Sequence, residues 1–177
     1  ESTEVGALVS AAHRDKVERC LTVATQEGGT ILCGGERAAP SGRCSEGYFL
    51  SPAVVTGLDS NARTNQEEIF GPVLTVFKAN DLQDAIQISN SVKFGLSSSV
   101  YTKDLTQAFE YINTVEAGMV HVNAPTLGGE VHLPFGGLKS SGVGHREQGT
   151  EAVAFFSEVI TVYIDHAAAA RERARFI

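Results

Sequence analysis

The feature that most constrains this chain is an alternation, from residue 64 onward, between short β-branched runs and stretches whose apolar residues have helical spacing. Three of the runs predict strands, at residues 74–77, 97–101 and 118–123. Each of the first two is followed by apolar positions three and four residues apart, as in an amphipathic helix. Alternation of this kind is typical of parallel α/β units, and α/β is the fold class that we predict.

The two helices inside this alternation are predicted with a start and a face. The first has one face formed by Leu82, Ala85, Ile86 and Ser89. We expect Asn80 to start it, with Gln83 completing a capping box. The second helix has a predicted core-facing stripe of Leu105, Ala108, Phe109 and Ile112.

The first third of the chain predicts one helix and two strands. Ser10 is the expected N-cap of a helix over residues 11–27, which presents apolar residues 17, 21 and 24 on one face and stops at a Gly-Gly pair. Strands are predicted at residues 30–33 and 48–57. Pro52 predicts that the second strand lies at a sheet edge, or that the proline stands where the strand starts.

The last third predicts a long loop and then two more elements. After the strand at 118–123, a Pro- and Gly-rich loop runs to about residue 144, and long loops after strands are where α/β proteins often place their sites. A helix is predicted over residues 150–159 and a strand over 160–165, followed by a tail at 166–177.

Charge and hydropathy argue against two classes of partner. The chain has 14 Lys and Arg against 21 Asp and Glu, a formal net charge of -7, and no patch suited to a row of phosphates. No apolar run approaches the roughly 18 to 20 residues of a membrane helix, and the first residues lack the features of a secretory signal. We expect no nucleic-acid partner, no membrane partner and a cytoplasmic protein. Since the chain starts without methionine, we expect a fragment or a processed chain.

Neither the cysteines nor the histidines form a recognisable site. The odd number of cysteines includes no Cys-x-x-Cys pair, and none stands at an evident helix start, where a thiol is activated. They are Cys20, Cys33 and Cys44. Three histidines in the second half, His121, His132 and His145, have spacings that match no ligand motif. We expect reduced thiols and no metal.

Residues 65–72 have two interpretations that spacing does not separate. They place two adjacent carboxylates and an aromatic ring just before a Gly-Pro pair. One interpretation is structural: Thr64 with Glu67, or Asn65 with Glu68, forms the capping box of a one-turn helix that Gly-Pro ends. The other is functional: one carboxylate accepts both hydroxyls of a ribose, and Phe70 offers a flat face to a nicotinamide ring.

The loop at residues 132–149 is dense in glycine but is not a phosphate-binding loop. Its Gly-x-Gly at 142–144 is not followed by Lys-Ser or Lys-Thr, and residue 147 is glutamate where the dinucleotide fingerprint needs a third glycine. The composition predicts a tightly turning loop in which backbone approaches backbone. Arg146 and Glu147 are expected to form a surface or interface ion pair.

Three segments, taken in order and with their separation, resemble the C-terminal motifs of the NAD(P)-dependent aldehyde dehydrogenase superfamily. They are residues 67–72 (Glu-Glu-Ile-Phe-Gly-Pro), 120–123 (Val-His-Val-Asn) and 134–142 (Pro-Phe-Gly-Gly-Leu-Lys-Ser-Ser-Gly). Residues 5–10 and 48–52 resemble the stretch between that family's nucleophile and its Glu-Ile-Phe-Gly-Pro motif, so the resemblance covers about residues 5–165. It implies the C-terminal portion of the family's α/β catalytic region, downstream of the catalytic cysteine, in residues 1–159.

The resemblance also implies a chemistry and a set of roles. Family members oxidise an aldehyde to a carboxylic acid through a cysteine thiolate and pass a hydride to NAD or NADP. Carried over position by position, Glu68 holds the nicotinamide ribose and Phe70 packs by the nicotinamide. Phe135 lines the aldehyde tunnel beside residues 124–133. Glu147 takes the place of the family's Gly-Arg-Glu glutamate near the water-activating machinery, although here a histidine intervenes before the arginine.

Two further implications concern assembly and activity. Residues 160–165 resemble the family's oligomerisation strand, which extends a neighbouring subunit's sheet, so a dimer or tetramer is implied. The family's nucleophile, a cysteine after Gly-Gln, and its general-base glutamate occur nowhere in the 177 residues. We therefore expect this polypeptide by itself to be inactive.

Substrate and function class are left with alternatives. Residues 123–130 have no aromatic side chain that could enclose a cationic amine, and Asn-Ala-Pro-Thr at 123–126 resembles semialdehyde-oxidising members of the family. One alternative is a truncated homologue that acts as an oligomerisation or interaction module. The other is a reductase of acyl phosphates or acyl thioesters with the same fold.

Overall fold

The computed structural model describes residues 5–164 and confirms the α/β class. The helices described are α1 (Ala11–Gln26), α2 (Arg63–Gln66), α3 (Leu82–Asn90), α4 (Leu105–Thr114) and α5 (Glu151–Phe155). The strands are β1 (Thr30–Cys33), β2 (Ala53–Thr56), β3 (Val73–Val76), β4 (Phe94–Gly95), β5 (Ser97–Val100), β6 (Met119–Val122) and β7 (Leu138–Lys139). A short 3-10 turn, Gly42–Cys44, lies in the loop between β1 and β2.

Helix α1 begins and packs as the sequence predicts. The Ser10 hydroxyl accepts a hydrogen bond from the N–H of His13 (3.1 Å), which satisfies one of the unpaired donors at the helix start. Val17, Leu21 and Ala24 are the buried residues of the helix. They form the first core cluster together with Leu50, Ala53, Val55 and Leu58.

The first sheet has the order β1-β2-β3, antiparallel between β1 and β2 and parallel between β2 and β3. Pro52 directly precedes β2, as predicted for a strand start, but β2 lies in the centre of the sheet and not at its edge. The central position is tolerated because pairing with β3 begins one residue later, where the Ala53 N–H donates to the Pro72 carbonyl (2.8 Å).

The second part of the fold is a parallel β-α-β unit. β5 and β6 pair in parallel with α4 between them, and the two-residue strands β4 and β7 pair antiparallel beside them. The second core cluster joins α3 and α4 through the buried residues Ile86, Tyr111 and Val115. The long loop after β6 therefore returns to the sheet at β7, which the sequence did not predict.

Helix α4 buries a different face from the predicted one. Its buried residues are Ala108 and Tyr111, whereas Leu105, Phe109 and Ile112 are 71%, 56% and 41% exposed. Of the predicted stripe, only Ala108 lies in the core. The reason is tertiary: the Tyr111 hydroxyl is hydrogen-bonded to the Ser98 hydroxyl of β5, and Tyr111 packs in the second core cluster.

The start of α3 also differs from the prediction by one residue. Asp81 is the N-cap, because its carboxylate accepts a hydrogen bond from the Asp84 N–H (2.8 Å). The Asp84 carboxylate reaches back to the Asn80 N–H (2.9 Å). Gln83, expected to complete the capping box, is hydrogen-bonded to Glu110 of α4 instead. Two aspartates therefore cap the helix start where the sequence assigned the role to amide side chains, although Asp84 binds the N–H of the residue before the N-cap and not that of the N-cap itself.

The C-terminal end of the described chain is shorter in regular structure than expected. α5 ends at Phe155 instead of residue 159, and residues 160–164 form no strand with any other part of residues 5–164. Asp165, the tail and residues 1–4 lie outside the described residues, so the oligomerisation strand stays a prediction. Among residues 5–164, no helix is long and apolar enough to cross a bilayer.

Candidate functional site

Residues 67–72 connect α2 to β3, and the start of α2 is capped from a distance. The Glu27 carboxylate, at the C-terminal end of α1, accepts hydrogen bonds from the N–H groups of Arg63 (2.7 Å) and Thr64 (3.1 Å). It also accepts one from the Thr64 hydroxyl (2.7 Å), the main reason why the pKa of Glu27 lies below its ordinary value. The predicted capping boxes are therefore wrong: Ala62 is the N-cap and has no capping side chain, so a carboxylate from α1 takes over.

The two adjacent glutamates of this segment have different environments. Glu67 forms an ion pair with Arg63 (Nε to Oε1, 2.6 Å), and this contact lowers the pKa of Glu67. Among residues 5–164, the Glu68 carboxylate has neither a hydrogen bond nor an ion pair, and it is exposed. Glu68 borders a cavity of about 380 Å³ whose walls include Leu96 of the β4–β5 junction and Ser141 of the loop after β6. Its carboxylate is free to accept hydrogen bonds from a ligand.

Phe70 stands out by its backbone and by its exposure. Its φ of +57° lies in the left-handed region, which costs a residue other than glycine about 1 kcal/mol. Its side chain is 75% exposed. One ring edge faces the His13 imidazole, with 6.2 Å between centroids and 73° between planes. The rest of the ring remains available to a flat ligand.

The backbone between these two residues is attached to α1. The Lys16 ammonium donates to the Glu68 carbonyl (Nζ to O, 2.9 Å). His13 Nε2 lies 2.6 Å from the Phe70 carbonyl, so it donates when that nitrogen carries the proton. Ile69, between them, packs against the first core cluster.

Phe135 and Glu147, twelve residues apart in the sequence, are brought together by backbone pairing. The Phe135 N–H donates to the Glu147 carbonyl (2.6 Å), and the Glu147 N–H donates to the Phe135 carbonyl (2.9 Å). Both residues line a cavity of about 260 Å³. Phe135 also borders a cavity of about 450 Å³ beside His121 and Gln148.

Long side chains hold the loop that carries these two residues. Lys139 Nζ donates to the carbonyls of Asn90 (2.7 Å) and Val92 (2.9 Å), and it forms an ion pair with Glu116 (2.5 Å). Arg146 donates to the Gly137 carbonyl. The expected Arg146–Glu147 ion pair is absent from residues 5–164, because the arginine is directed at this carbonyl.

The close approach of backbone to backbone, predicted from the glycines, is confirmed at two places. A Cβ on Gly118, at the start of β6, would lie 1.9 Å from the Gly136 carbonyl oxygen. A Cβ on Gly137 would lie 2.3 Å from the Ser141 carbonyl oxygen. Both distances are shorter than any real Cβ contact, so the fold of this loop depends on these glycines.

The predicted site residues thus fall into neighbouring groups. Leu96 and Ser141 line both the cavity that Glu68 borders and the cavity of Phe135 and Glu147, so the two cavities adjoin. Phe70 lines neither and lies on the α1 side, against His13. The residues that sequence reasoning missed are His13, Lys16 and Lys139. They bind backbone carbonyls, and a carbonyl partner leaves no signal in side-chain spacing.

The titratable side chains in the described part of the chain offer no clear alternative centre. All three cysteines are free; Cys20 is half-buried on α1, and Cys33 and Cys44 are exposed. None of them lines the cavities beside Phe135. Residues 5–164 contain no group of three or more His, Cys, Asp or Glu side chains that could hold a metal ion.

Comparison with known proteins gives a consistent picture. Residues 1–162 match the model of the aldehyde dehydrogenase family. The alpha-ketoglutaric semialdehyde dehydrogenase of Bacillus subtilis (strain 168) is 38% identical over 156 residues, which are 86% of this chain and 32% of that protein. The chain thus spans about a third of the length of the curated relatives that it matches.

Solved structures agree with the sequence relatives. The NAD+ complex of an aldehyde dehydrogenase from Bacillus cereus superposes with a TM-score of 0.84 at 33% identity, covering 93% of this chain and 32% of that one. The betaine aldehyde dehydrogenase of Staphylococcus aureus in complex with NAD+ gives a TM-score of 0.81 at 37% identity, covering 88% and 30%. Motifs, fold and comparisons all place this chain in the aldehyde dehydrogenase family.

Proposed function

We propose that this chain forms cofactor-facing and aldehyde-facing walls of an NAD+-dependent aldehyde dehydrogenase. The observation that carries the proposal is the pairing of Phe135 with Glu147 in a cavity that adjoins the one bordered by Glu68. The ring of Phe135 suits an apolar aldehyde, and the carboxylate of Glu147 suits a water molecule. The unpaired carboxylate of Glu68, in the adjoining cavity, suits a sugar diol.

The residues present fit a nicotinamide nucleotide. The Glu68 carboxylate is exposed and, within residues 5–164, unpaired, so its two oxygens can accept both hydroxyls of a ribose. The exposed ring of Phe70 provides a flat surface against which a nicotinamide can pack. When bound, NAD+ supplies the acceptor for the hydride that leaves the aldehyde carbon.

On the aldehyde side, each residue has a defined task in the proposal. Phe135 excludes water from one side of the aldehyde and orients its carbon chain. Glu147 accepts a hydrogen bond from the water that hydrolyses the thioester. The thiolate that forms this thioester comes from outside these 177 residues, since none of Cys20, Cys33 and Cys44 lines the cavities of Phe135. We therefore expect the 177 residues alone to be inactive.

The proposed substrate class is a semialdehyde. The support is the similarity to the semialdehyde dehydrogenase of Bacillus subtilis and the absence of aromatic side chains at residues 123–130. The substrate class is tested by comparing kcat/KM for three compounds of equal chain length. They are an uncharged aldehyde, a dicarboxylic semialdehyde and a trimethylammonium aldehyde. A higher kcat/KM for the trimethylammonium compound would refute this assignment and leave the oxidation itself intact.

The cofactor assignment is tested by comparing two adjacent glutamates. In the full gene product, Glu68→Gln is expected to weaken NAD+ binding about tenfold, because a charge-assisted hydrogen bond to the ribose is lost. Glu67→Gln is the matched control, since that carboxylate already pairs with Arg63. Isothermal titration with NAD+ and NADH formation with the aldehyde panel give independent readouts. Equal effects of the two substitutions would refute the role of Glu68.

Self-association through residues 160–165 is the second proposal, and exposed apolar side chains in the described part, to residue 164, support it. Val159, Ile160, Tyr163 and Ile164 are 97%, 81%, 92% and 81% exposed in the single chain. A contiguous apolar stretch of this kind is typical of an interface, and a strand added to a neighbouring sheet would cover it. We expect Val162→Pro, which removes a strand donor, to shift the protein toward monomers in light scattering. Thr161→Ser, a substitution at the neighbouring residue that keeps the backbone N–H, serves as the control.

A further inference from the structure

Two donors on one face of α1 bind alternate carbonyls of the segment that carries the proposed cofactor residues. His13 and Lys16 are three residues apart and therefore neighbours on the helix surface. His13 Nε2 lies 2.6 Å from the Phe70 carbonyl and Lys16 Nζ lies 2.9 Å from the Glu68 carbonyl. Two donors three residues apart on the helix therefore contact two carbonyls two residues apart in this segment.

This segment has little other hydrogen bonding. The Glu67 N–H still bonds to α2, and the Gly71 carbonyl accepts from the Val73 N–H. Apart from the two contacts with His13 and Lys16, residues 68–70 make no hydrogen bond to any residue that the structure describes. The left-handed conformation of Phe70 needs outside contacts to persist, because its backbone is strained. The donors of α1, with the packing of Ile69, supply them.

We infer that His13 and Lys16 are positioning residues. By binding the backbone carbonyls of Phe70 and Glu68, they fix the direction of the Phe70 ring and of the Glu68 carboxylate. The inference rests on the proposed cofactor roles of Phe70 and Glu68. The imidazole also touches the ring of Phe70 edge-on, so it constrains both the backbone and the side chain of that residue. Neither donor needs to touch the cofactor for this effect.

His13 offers the cleaner test, because replacing Lys16 would also change the charge near an anionic cofactor. His13→Leu removes the donor and keeps a similar volume. His13→Gln keeps an N–H donor that can reach the same carbonyl. His13 is only half-buried, so both variants are expected to fold, and thermal unfolding verifies this.

Two measurements on the full gene product decide the matter. A crystal structure of each variant without cofactor reports on the segment itself, through the positions of the Glu68 carboxylate and the Phe70 ring. NAD+ affinity and the KM values for NAD+ and aldehyde report on the site. For His13→Leu we expect a displaced or less ordered Phe70 ring and about fivefold weaker NAD+ binding, the equivalent of one hydrogen bond, with an unchanged KM for the aldehyde. For His13→Gln we expect values within about twofold of the wild type.

The outcomes separate this inference from the function on which it rests. Phe70→Ala is measured in parallel. If Phe70→Ala weakens NAD+ binding and His13→Leu does not, the positioning role is refuted and the cofactor role stands. If His13→Leu and His13→Gln weaken binding equally, hydrogen bonding by residue 13 is refuted as the cause. If Phe70→Ala leaves NAD+ binding unchanged, the proposed role of Phe70 fails, while the crystal structure of His13→Leu still shows whether His13 holds the segment.

Discussion

The loop that carries Phe135 and Glu147 is expected to depend on a single lysine. Lys139 Nζ donates to the carbonyls of Asn90 and Val92, at the C-terminal end of α3 and just beyond it, and pairs with Glu116. α3 has no basic residue of its own in its last turn. Lys139 therefore supplies both the missing hydrogen bonds and the positive charge that a helix C-terminus favours.

The loss on replacing Lys139 with methionine can be worked from these contacts. Each hydrogen bond from a charged donor contributes about 1.5 kcal/mol to the free energy of unfolding, at the low end of the range because the side chain is 23% exposed. The ion pair adds about 0.5 kcal/mol, since the Glu116 side chain is 53% exposed. Methionine keeps most of the apolar stem in place. The expected loss is about 3.5 kcal/mol, or a decrease in Tm of about 9 °C for a chain of this length.

Urea and thermal unfolding followed by far-UV circular dichroism measure this loss. Lys78→Met is the matched control, because Lys78 is exposed and, within residues 5–164, has no hydrogen bond or ion pair. A loss below about 0.5 kcal/mol for Lys139→Met, the size of an ordinary surface substitution, would refute the reasoning. So would an equal loss in the control.

Three further predictions follow from the caps and the strand ends. Glu27→Gln is expected to lower stability at neutral pH, because the folded state lowers the pKa of this carboxyl below its ordinary value of 4.5. The stabilisation is present above that value and is lost as pH falls through the lower pKa of the folded state, so the difference from wild type should shrink in unfolding curves recorded at decreasing pH. Asp81→Ala is expected to cost about 1 kcal/mol in urea unfolding, and Asn80→Ala clearly less, since Asp81 is the observed N-cap. Asn123→Ala should cost about 2 kcal/mol in the same assay, because the side chain of Asn123 makes two hydrogen bonds to the backbone of Thr102. Asn123 has a φ of +55°, so Asn123→Gly relieves the backbone strain and should cost about half as much.

The features that the sequence predicted correctly are those decided within a few residues. Ser10 caps the N–H three positions on, and the buried stripe of α1 follows directly from helical spacing. The capping of α2 could not be predicted, because its acceptor, Glu27, lies 36 residues before Arg63. No local pattern connects those two positions.

Helix α4 shows why spacing alone does not select the buried face. The helix has apolar or aromatic residues on two sides: Leu105, Phe109 and Ile112 on one, Ala108 and Tyr111 on the other. Both satisfy the same periodicity, so the pattern was ambiguous. The buried face is the one that packs against α3, through Tyr111 and Ile86, and that contacts β5 through the Tyr111 and Ser98 hydroxyls. Such tertiary contacts are not encoded in the spacing of one helix.

In the candidate site, too, the sequence predicted which residues matter, and tertiary contacts decide how they are held. The identities of Glu68, Phe70, Phe135 and Glu147 came from resemblance, whereas the contacts that place them came only from the structure. Those contacts are made to backbone carbonyls, by His13 and Lys16 on one side and by Lys139 on the other. Because a carbonyl accepts a hydrogen bond from any suitable donor, the side chains of Glu68 and Phe70 need not take part in holding their own segment. This leaves Glu68 unpaired and Phe70 exposed within residues 5–164, which is the condition under which both can serve a ligand.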